Sequence, residues 1–354
     1  MSGQDAGAGR ELLTRGARIA GIVSAVPERE IGNDAFVARF GADPVRDVVK
    51  MIGVERRRWA GAQQTTGDLC RAAGRRLLDG LGWRPDSVDA LLFVSQTPDY
   101  RLPGTAFVLQ RDWGLPSACI ALDVNLGCSG YPQALWLGMN LIQSGAARRV
   151  LLAVGDTISK LVDPDDRATS LLFGDAGTVT ALEAGGPDDV ARFIIGANGH
   201  GAHNLIVPSG ACKDYDTAAD PRMAGKSATH LFMDGGEIFN FTLQGIAPLV
   251  ARTLAYAGRT TDGYDAFLFH QANQFMLKHL AKKAGLPAGR VPSNIGRYGN
   301  TSCASIPLLM TTELPAALAE RALDLAMFGF GVGYSWASAS LAVGPLRVID
   351  TLTL

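Results

Sequence analysis

An α/β fold with largely buried sheets is the class this sequence predicts, and three observations predict it. Strand-like and helix-like patterns alternate from one end of the chain to the other. Several strand candidates are unbroken apolar runs, as expected where both sheet faces are covered. The chain has 354 residues, 47% of them hydrophobic and 19% charged, which is the profile of a well-buried globular protein. That length exceeds one simple core and suggests two domains or two fused halves.

The elements follow in order. Residues 1–17 are rich in Gly and Ala with mixed charge and read as a flexible N-terminal segment without a signal-peptide run. Ala90-Leu91-Leu92-Phe93-Val94 is a buried strand. Ile120, Leu122 and Val124 alternate with Ala121 and Asp123 as a strand would. After a short turn, Ala134, Leu135, Leu137, Met139, Leu141 and Ile142 recur at helical spacing until Gly145 stops the run. Val150 to Val154, followed by Gly155-Asp156, and Thr178 to Leu182 are further strands. Glu183 to Asp188 contains Gly185, Gly186 and Pro187 and reads as a seam, dividing the chain into halves at 18–186 and 187–354. Beyond it come a strand at Phe193 to Ile195, a long surface loop from Asn198 to Ser227, and a helix from about Gly236 to Ala257. The apolar strand Tyr264 to Phe269 runs into His270-Gln271-Ala272-Asn273. Ile295 to Ser302 is a Gly-punctuated loop ahead of another helix-like run.

Charge and cysteine usage exclude several classes. A formal net charge of -1 gives a nucleic-acid role no electrostatic support. No stretch is apolar for long enough to span a membrane, so no membrane insertion is expected. The five cysteines form no Cys-x-x-Cys pair, so neither a metal site nor a redox motif is expected. The scattered, odd set fits a reducing cytoplasm. Asn300-Thr301-Ser302 matches a glycosylation acceptor only in a secreted protein.

Cys128 carries the most information. It lies in Asn125-Leu126-Gly127-Cys128-Ser129-Gly130, where a strand reads straight into a helix. The dipole and free N–H groups at a helix start favour a thiolate, which is the nucleophilic form. His270 and Asn300 also stand just past the ends of regular elements, where rigid scaffolds present chemistry. Each alone has an ordinary reading: a buried cysteine, a strand-end histidine bonded to backbone, an asparagine capping a helix. Cys303 reads as packing; His200, His203, His230 and His279 have no partner pattern.

Five stretches in this order make the chain resemble the ketoacyl-acyl-carrier-protein synthase III family of the thiolase superfamily. They are Asn125 to Gly130, Phe173-Gly174-Asp175-Ala176-Gly177, Phe269 to Asn273, Gly299-Asn300-Thr301-Ser302 and Gly331-Val332-Gly333-Tyr334-Ser335-Trp336. The resemblance spans about Arg18 to Val348. It implies a thiolase-like five-layered αβαβα sandwich of two similar βαβαβαββ halves. It also implies an enzyme that condenses an acyl thioester with a malonyl thioester, with loss of carbon dioxide, through an acyl-cysteine. In these roles Cys128 holds the acyl group, His270 and Asn300 hydrogen-bond the developing enolate, and the backbone N–H groups of Cys128 and Val332 bind the oxyanion. No cofactor is implied beyond the coenzyme A or carrier-protein thioesters themselves. The implied partners are an acyl carrier protein and a second copy of the chain, whose pocket Leu102 would reach.

The chain departs from the family at the substrate entrance. Asp47 and Met51 stand where housekeeping members place a tryptophan and an arginine against coenzyme A, while Arg167 matches the other side of that clamp. Phe275 replaces an arginine that often follows His-Gln-Ala-Asn, and Val332 replaces a third glycine. A stacking face and a fixed cation are both lost, which points to a specialised member. Lys278, Lys282 and Lys283 read either as a solvated helix face or as a docking patch for an acidic carrier. Other readings are an ester- or amide-forming transferase, a short-chain polyketide or alkylquinolone condensing enzyme, and a non-catalytic partner subunit. A papain-like protease needs a Cys-Gly-Ser-Cys-Trp context, and a degradative thiolase needs a second catalytic cysteine near the C-terminus; both are absent.

Overall fold

The computed structural model describes residues 8–354. The first strands are β1 (Arg10–Arg15) and β2 (Ala17–Val26), then the short pair β3 (Glu30–Gly32) and β4 (Arg56–Arg58). Next come β5 (Ala90–Val94), β6 (Ile120–Val124), β7 (Arg149–Asp156), β8 (Ala176–Ala184) and β9 (Val190–Ala197). After the two-residue strands β10 (Leu205–Ile206) and β11 (Phe232–Met233) come β12 (Ala266–Phe269), β13 (Leu323–Gly331), β14 (Ser335–Val343) and β15 (Val348–Thr353). They build a six-stranded sheet, β15-β2-β8-β7-β5-β6, and a five-stranded sheet, β1-β9-β14-β13-β12.

Three apolar cores separate these sheets into layers. One buries the Thr66–Leu81 and Thr105–Trp113 helices on the outer face of the six-stranded sheet. The middle core packs the Gly130–Gln143 and Ser305–Glu313 helices between the two sheets. The third covers the five-stranded sheet with the Gly235–Ala257 and Gln274–Lys283 helices. The order is helix, sheet, helix, sheet, helix, as expected. Double coverage explains why all five residues of β5 are buried, and why its sequence shows no alternation.

The internal repeat, invisible as identities, is plain in topology. The runs β2-β8-β7-β5 and β9-β14-β13-β12 share the pairing senses antiparallel, antiparallel, then parallel. The ends of the chain cross the seam. β15 joins the first half's sheet beside β2, and β1 joins the second half's sheet beside β9. This corrects the expected flexible segment at 1–17. Residues 1–7 lie outside the described part, but Arg10–Arg15 form a six-residue antiparallel ladder with β9. Leu12 packs on the middle core and Thr14 is buried, so the segment has its own tertiary anchor. The loop from Asn198 to Ser227 is broken by short 3-10 turns, and Gly201, Asp220 and Met223 within it are buried. No helix among the described residues is long and apolar enough to cross a membrane.

Candidate active site

Folding brings Cys128, His270 and Asn300 onto one cavity of ≈ 650 Å³. Each arrives from the end of an element in the middle of the sandwich. Cys128 follows β6 by a short turn that Gly127 and Gly130 close at 2.7 Å, and the helix begins at Gly130. The glycines of β13 let the strand pass against this turn. A Cβ at Gly331 would lie 2.8 Å from Cys128 Cβ and 3.0 Å from its Sγ. One at Gly329 would lie 2.9 Å from the Cys128 carbonyl oxygen. Past Gly331 comes Val332, whose backbone N–H favours the Cys128 thiolate. Among the described residues Ser302 is the one non-glycine with positive φ, so Val332 keeps a backbone that a β-branched residue tolerates.

His270 extends β12, its N–H bonded to the Phe328 carbonyl at 2.8 Å. The ring stands edge-on to Phe330, with centroids 5.7 Å apart, and Nδ1 shares a 2.8 Å hydrogen bond with Ser305 Oγ. Nε2 is therefore the ring nitrogen left for a guest in the cavity. Asn300 is fixed through its backbone, which bonds Leu172 and Gly174 at 2.9 and 3.0 Å. Its Oδ1 accepts the Ser302 N–H at 2.9 Å, so its amide donors face elsewhere, with one long 3.5 Å contact to the Ala272 carbonyl. Asn300 Oδ1 thus accepts from the first residue of the short 3-10 turn Ser302–Ala304, as a cap does, and its amide N–H₂ is what remains for the cavity. Asn273 caps a helix: its Oδ1 accepts the Met276 N–H at 2.8 Å. Gln271 is structural too, its Oε1 accepting from Ser293 Oγ at 2.8 Å.

Electrostatics correct one expectation. Position alone suggested a resting thiolate. Burial, with the Asp156 charge second, instead pushes the Cys128 thiol up to about 12, against the Val332 N–H and the Ser302 hydroxyl. The resting residue is a thiol. Burial also pushes His270 down to about 4, so its imidazole is neutral at physiological pH and holds a second proton only weakly.

The entrance is apolar. Met51 and Phe275 are 56% and 51% exposed, yet both also line the cavity, and Phe275 stacks on Phe239 with centroids 5.8 Å apart. Arg167 lines the same mouth, exposed and outside every ion pair among the described residues. Asp47 is exposed and not part of the lining. Leu102 is 83% exposed and does not line the cavity. Lys278 and Lys282 edge a separate groove of ≈ 500 Å³, whereas Lys283 Nζ donates to the Leu243 carbonyl at 2.6 Å. The sequence does not mark Phe239, Phe330, Ser305 or Asp156 as site residues, and it marks Ser302 only as the end of a motif. Phe330 adjoins a recognised motif; Phe239, Ser305 and Asp156 become neighbours of the site only by folding.

Known proteins resemble this chain along most of its length. The sequence pattern of the 3-oxoacyl-[acyl-carrier-protein (ACP)] synthase III family matches residues 122–199, and its C-terminal pattern matches 254–343. A beta-ketoacyl-[acyl-carrier-protein] synthase III of Synechococcus sp. is 33% identical over 94% of this chain and 98% of its own length. One from Erythrobacter litoralis is 32% identical over 91% of this chain and 98% of its own length. A crystal structure of a 3-oxoacyl-(acyl-carrier protein) synthase from Burkholderia xenovorans superposes with a TM-score of 0.97 at 73% identity, covering 98% of this chain and 99% of that one. The chain belongs to the 3-oxoacyl-[acyl-carrier-protein] synthase III family and has its thiolase fold.

Proposed function

We propose that this protein is an acyltransferase that forms a carbon–carbon bond, condensing an acyl thioester with a malonyl thioester through an acyl-Cys128 intermediate. The observation that carries the reading is the convergence of Cys128, His270 and Asn300 on one apolar cavity. In the first half-reaction the Cys128 sulfur attacks the thioester carbonyl as its proton moves toward His270 Nε2, so that neither buried ion has to form beforehand. The N–H groups of Cys128 and Val332 receive the negative oxygen. The donor's thiol departs with the proton, leaving His270 neutral. In the second half-reaction His270 Nε2–H and an Asn300 amide N–H hold the malonyl thioester carbonyl. Carbon dioxide leaves, the electron pair forms an enolate, and its carbon attacks the acyl carbon on Cys128. The thiolate is expelled and takes up one proton from solvent, the proton that decarboxylation of a carboxylate consumes overall. The Ser305 hydroxyl can give or accept the Nδ1 hydrogen bond, so His270 can offer a lone pair in one step and a proton in the next. The apolar walls keep water from the acyl-enzyme.

The finer assignments are proposals as well. The enzyme is a specialised member primed from a carrier-bound acyl group, because Met51 and Phe275 offer no cation for nucleotide phosphates. Losing a stacked and a charged contact costs roughly 2–3 kcal/mol, about a hundredfold in affinity for coenzyme A thioesters. Arg167 and Lys278, Lys282 and Lys283 steer the acidic carrier. Two copies pair along edge strand β6, where Tyr100, Leu102, Phe107 and Leu122 are all at least half exposed. A cytoplasmic setting fits the exposed free thiol of Cys212.

Intact-mass loading tests the reading. The protein is incubated with acyl-coenzyme A and the matching acyl carrier protein across an ionic-strength series, and the adduct is mapped. Loading of Cys128, faster from the carrier and weakened by salt, is expected. An adduct on Cys303 or Cys119 would overturn the nucleophile. Equal, salt-insensitive loading from acetyl-coenzyme A would overturn the donor.

A further inference from the structure

Ser302 stands at the centre of the site without lining its cavity. It is 1% exposed and holds a left-handed backbone, φ 52°, that side chains rarely adopt. Backbone strain of this kind persists only where the surroundings impose it. Every part of the residue meets a member of the site. Its N–H is bonded to Asn300 Oδ1 at 2.9 Å, which turns the amide donors of Asn300 away from that oxygen's side. Its backbone also favours the protonated form of His270, against the larger effect of burial. Its hydroxyl is buried without a hydrogen-bond partner among the described residues, and it favours the charged forms of the Cys128 thiol and the Asp156 carboxyl.

Asp156 and Cys303 hold this turn from behind. Asp156 ends β7 fully buried, and it joins no ion pair among the described residues. Its Oδ1 accepts from Ser95 Oγ at 2.9 Å, Gln96 N at 2.6 Å, and Thr97 N and Oγ1 at 3.1 Å each. Its Oδ2 is left for Cys303, whose Sγ donates at 3.3 Å. The carboxyl thus joins the end of β5 to the turn carrying Asn300. A buried carboxyl with four donors on one oxygen and a single thiol on the other is placed for geometry rather than for solubility.

We propose that Ser302 is a positioning residue for both half-reactions, aligning Asn300 through its N–H and supporting the Cys128 thiolate through its hydroxyl, with Asp156 and Cys303 fixing its backbone. The alignment of Asn300 rests on the condensing function above; the support of the thiolate does not. Two variants separate hydroxyl from backbone. Ser302→Ala removes the hydroxyl and keeps the strain, while Ser302→Gly removes both and suits φ 52°.

The first measurement is the rate of iodoacetamide alkylation of Cys128 by intact mass at pH 7–9, which needs no acyl substrate. The titratable groups facing the sulfur, Asp156, Cys303 and His270, stay the same in both variants. Alkylation is expected to slow about threefold or more in both, as one contact to the thiolate is lost. The second measurement is carbon dioxide release from a malonyl thioester. Its kcat is expected to fall about tenfold in Ser302→Gly and to stay near wild type in Ser302→Ala, with KM little changed in both, because only the relaxed backbone of the glycine variant displaces Asn300 from the reacting geometry. Ser302→Gly should melt at or above the wild-type temperature, so its losses cannot be ascribed to unfolding. Wild-type rates in Ser302→Gly for either measurement would overturn the proposal. If the condensing function itself is wrong, carbon dioxide release is absent from the wild type while alkylation still reports on the hydroxyl.

Discussion

Replacing Gly331 by alanine should damage the site more than any change of similar size elsewhere. The added Cβ would stand 2.8 Å from Cys128 Cβ and 3.0 Å from Sγ, where carbon atoms in contact normally keep about 3.5–4 Å. Something must move by more than half an ångström. Cys128 cannot simply retreat, because its carbonyl and the Ser129 Cα already touch β13 at Gly329, 2.9 Å from where a Cβ would sit. Either the Cys128 turn or the Val332 turn gives way, and both routes separate the sulfur from the Val332 N–H. Overpacking of this kind costs about 1–3 kcal/mol of stability. In a chain of this size that lowers the melting temperature by only a few degrees, on the order of 2–4 °C per kcal/mol. The chemical cost is larger, since misplacing one oxyanion donor slows reaction by about 10²–10³-fold. The assay is the time course of Cys128 acylation by intact mass, with thermal melting run in parallel. Gly199→Ala is the control, since nothing lies within 4 Å of that Cβ. Acylation of a folded Gly331→Ala within about twofold of wild type would refute the assignment of Val332 to the oxyanion.

Asn300→Ala and His270→Ala should each slow carbon dioxide release from a malonyl thioester by about 10²–10³-fold. Single-turnover loading of Cys128 should survive in Asn300→Ala, and equal loss of both steps there would contradict the division of labour. Acid should destabilise the protein through His270: the unfolded chain takes the proton near pH 6.5 and the native site only near 4. The stabilisation from keeping the ring neutral is therefore complete above pH 6.5 and is lost as pH falls toward 4, by roughly 3 kcal/mol. Chemical denaturation along that pH range should show a shallower decline in His270→Gln, and identical slopes would rule the effect out. Leu122→Lys should convert a homodimer to monomer in light scattering, and a wild-type protein that is already monomeric at working concentration refutes the pairing along β6.

Much of this protein is local enough to be legible in its sequence. Periodicity placed β5, β6, β7, β8 and β12 and the helices after Cys128 and Gly235, because each element needs a pattern of apolar side chains that neighbours in sequence supply. The motifs around Cys128, His270 and Asn300 were visible as residue types at the ends of such elements. Their meeting at one cavity was not, since it depends on stacking two sheets across a middle layer of helices. The strand Arg10–Arg15 escaped notice for the same reason: its partner is β9, and nothing in its own composition marks an edge strand. Charge states, too, belong to the fold. A helix start favours a thiolate at Cys128, but burial against β13 and the Asp156 charge outweigh it, and both come from residues distant in sequence. Ser302 is the sharpest case. Its sequence position shows a serine after Asn-Thr, and only tertiary packing forces it into a left-handed backbone among Cys128, His270, Asn300 and Asp156.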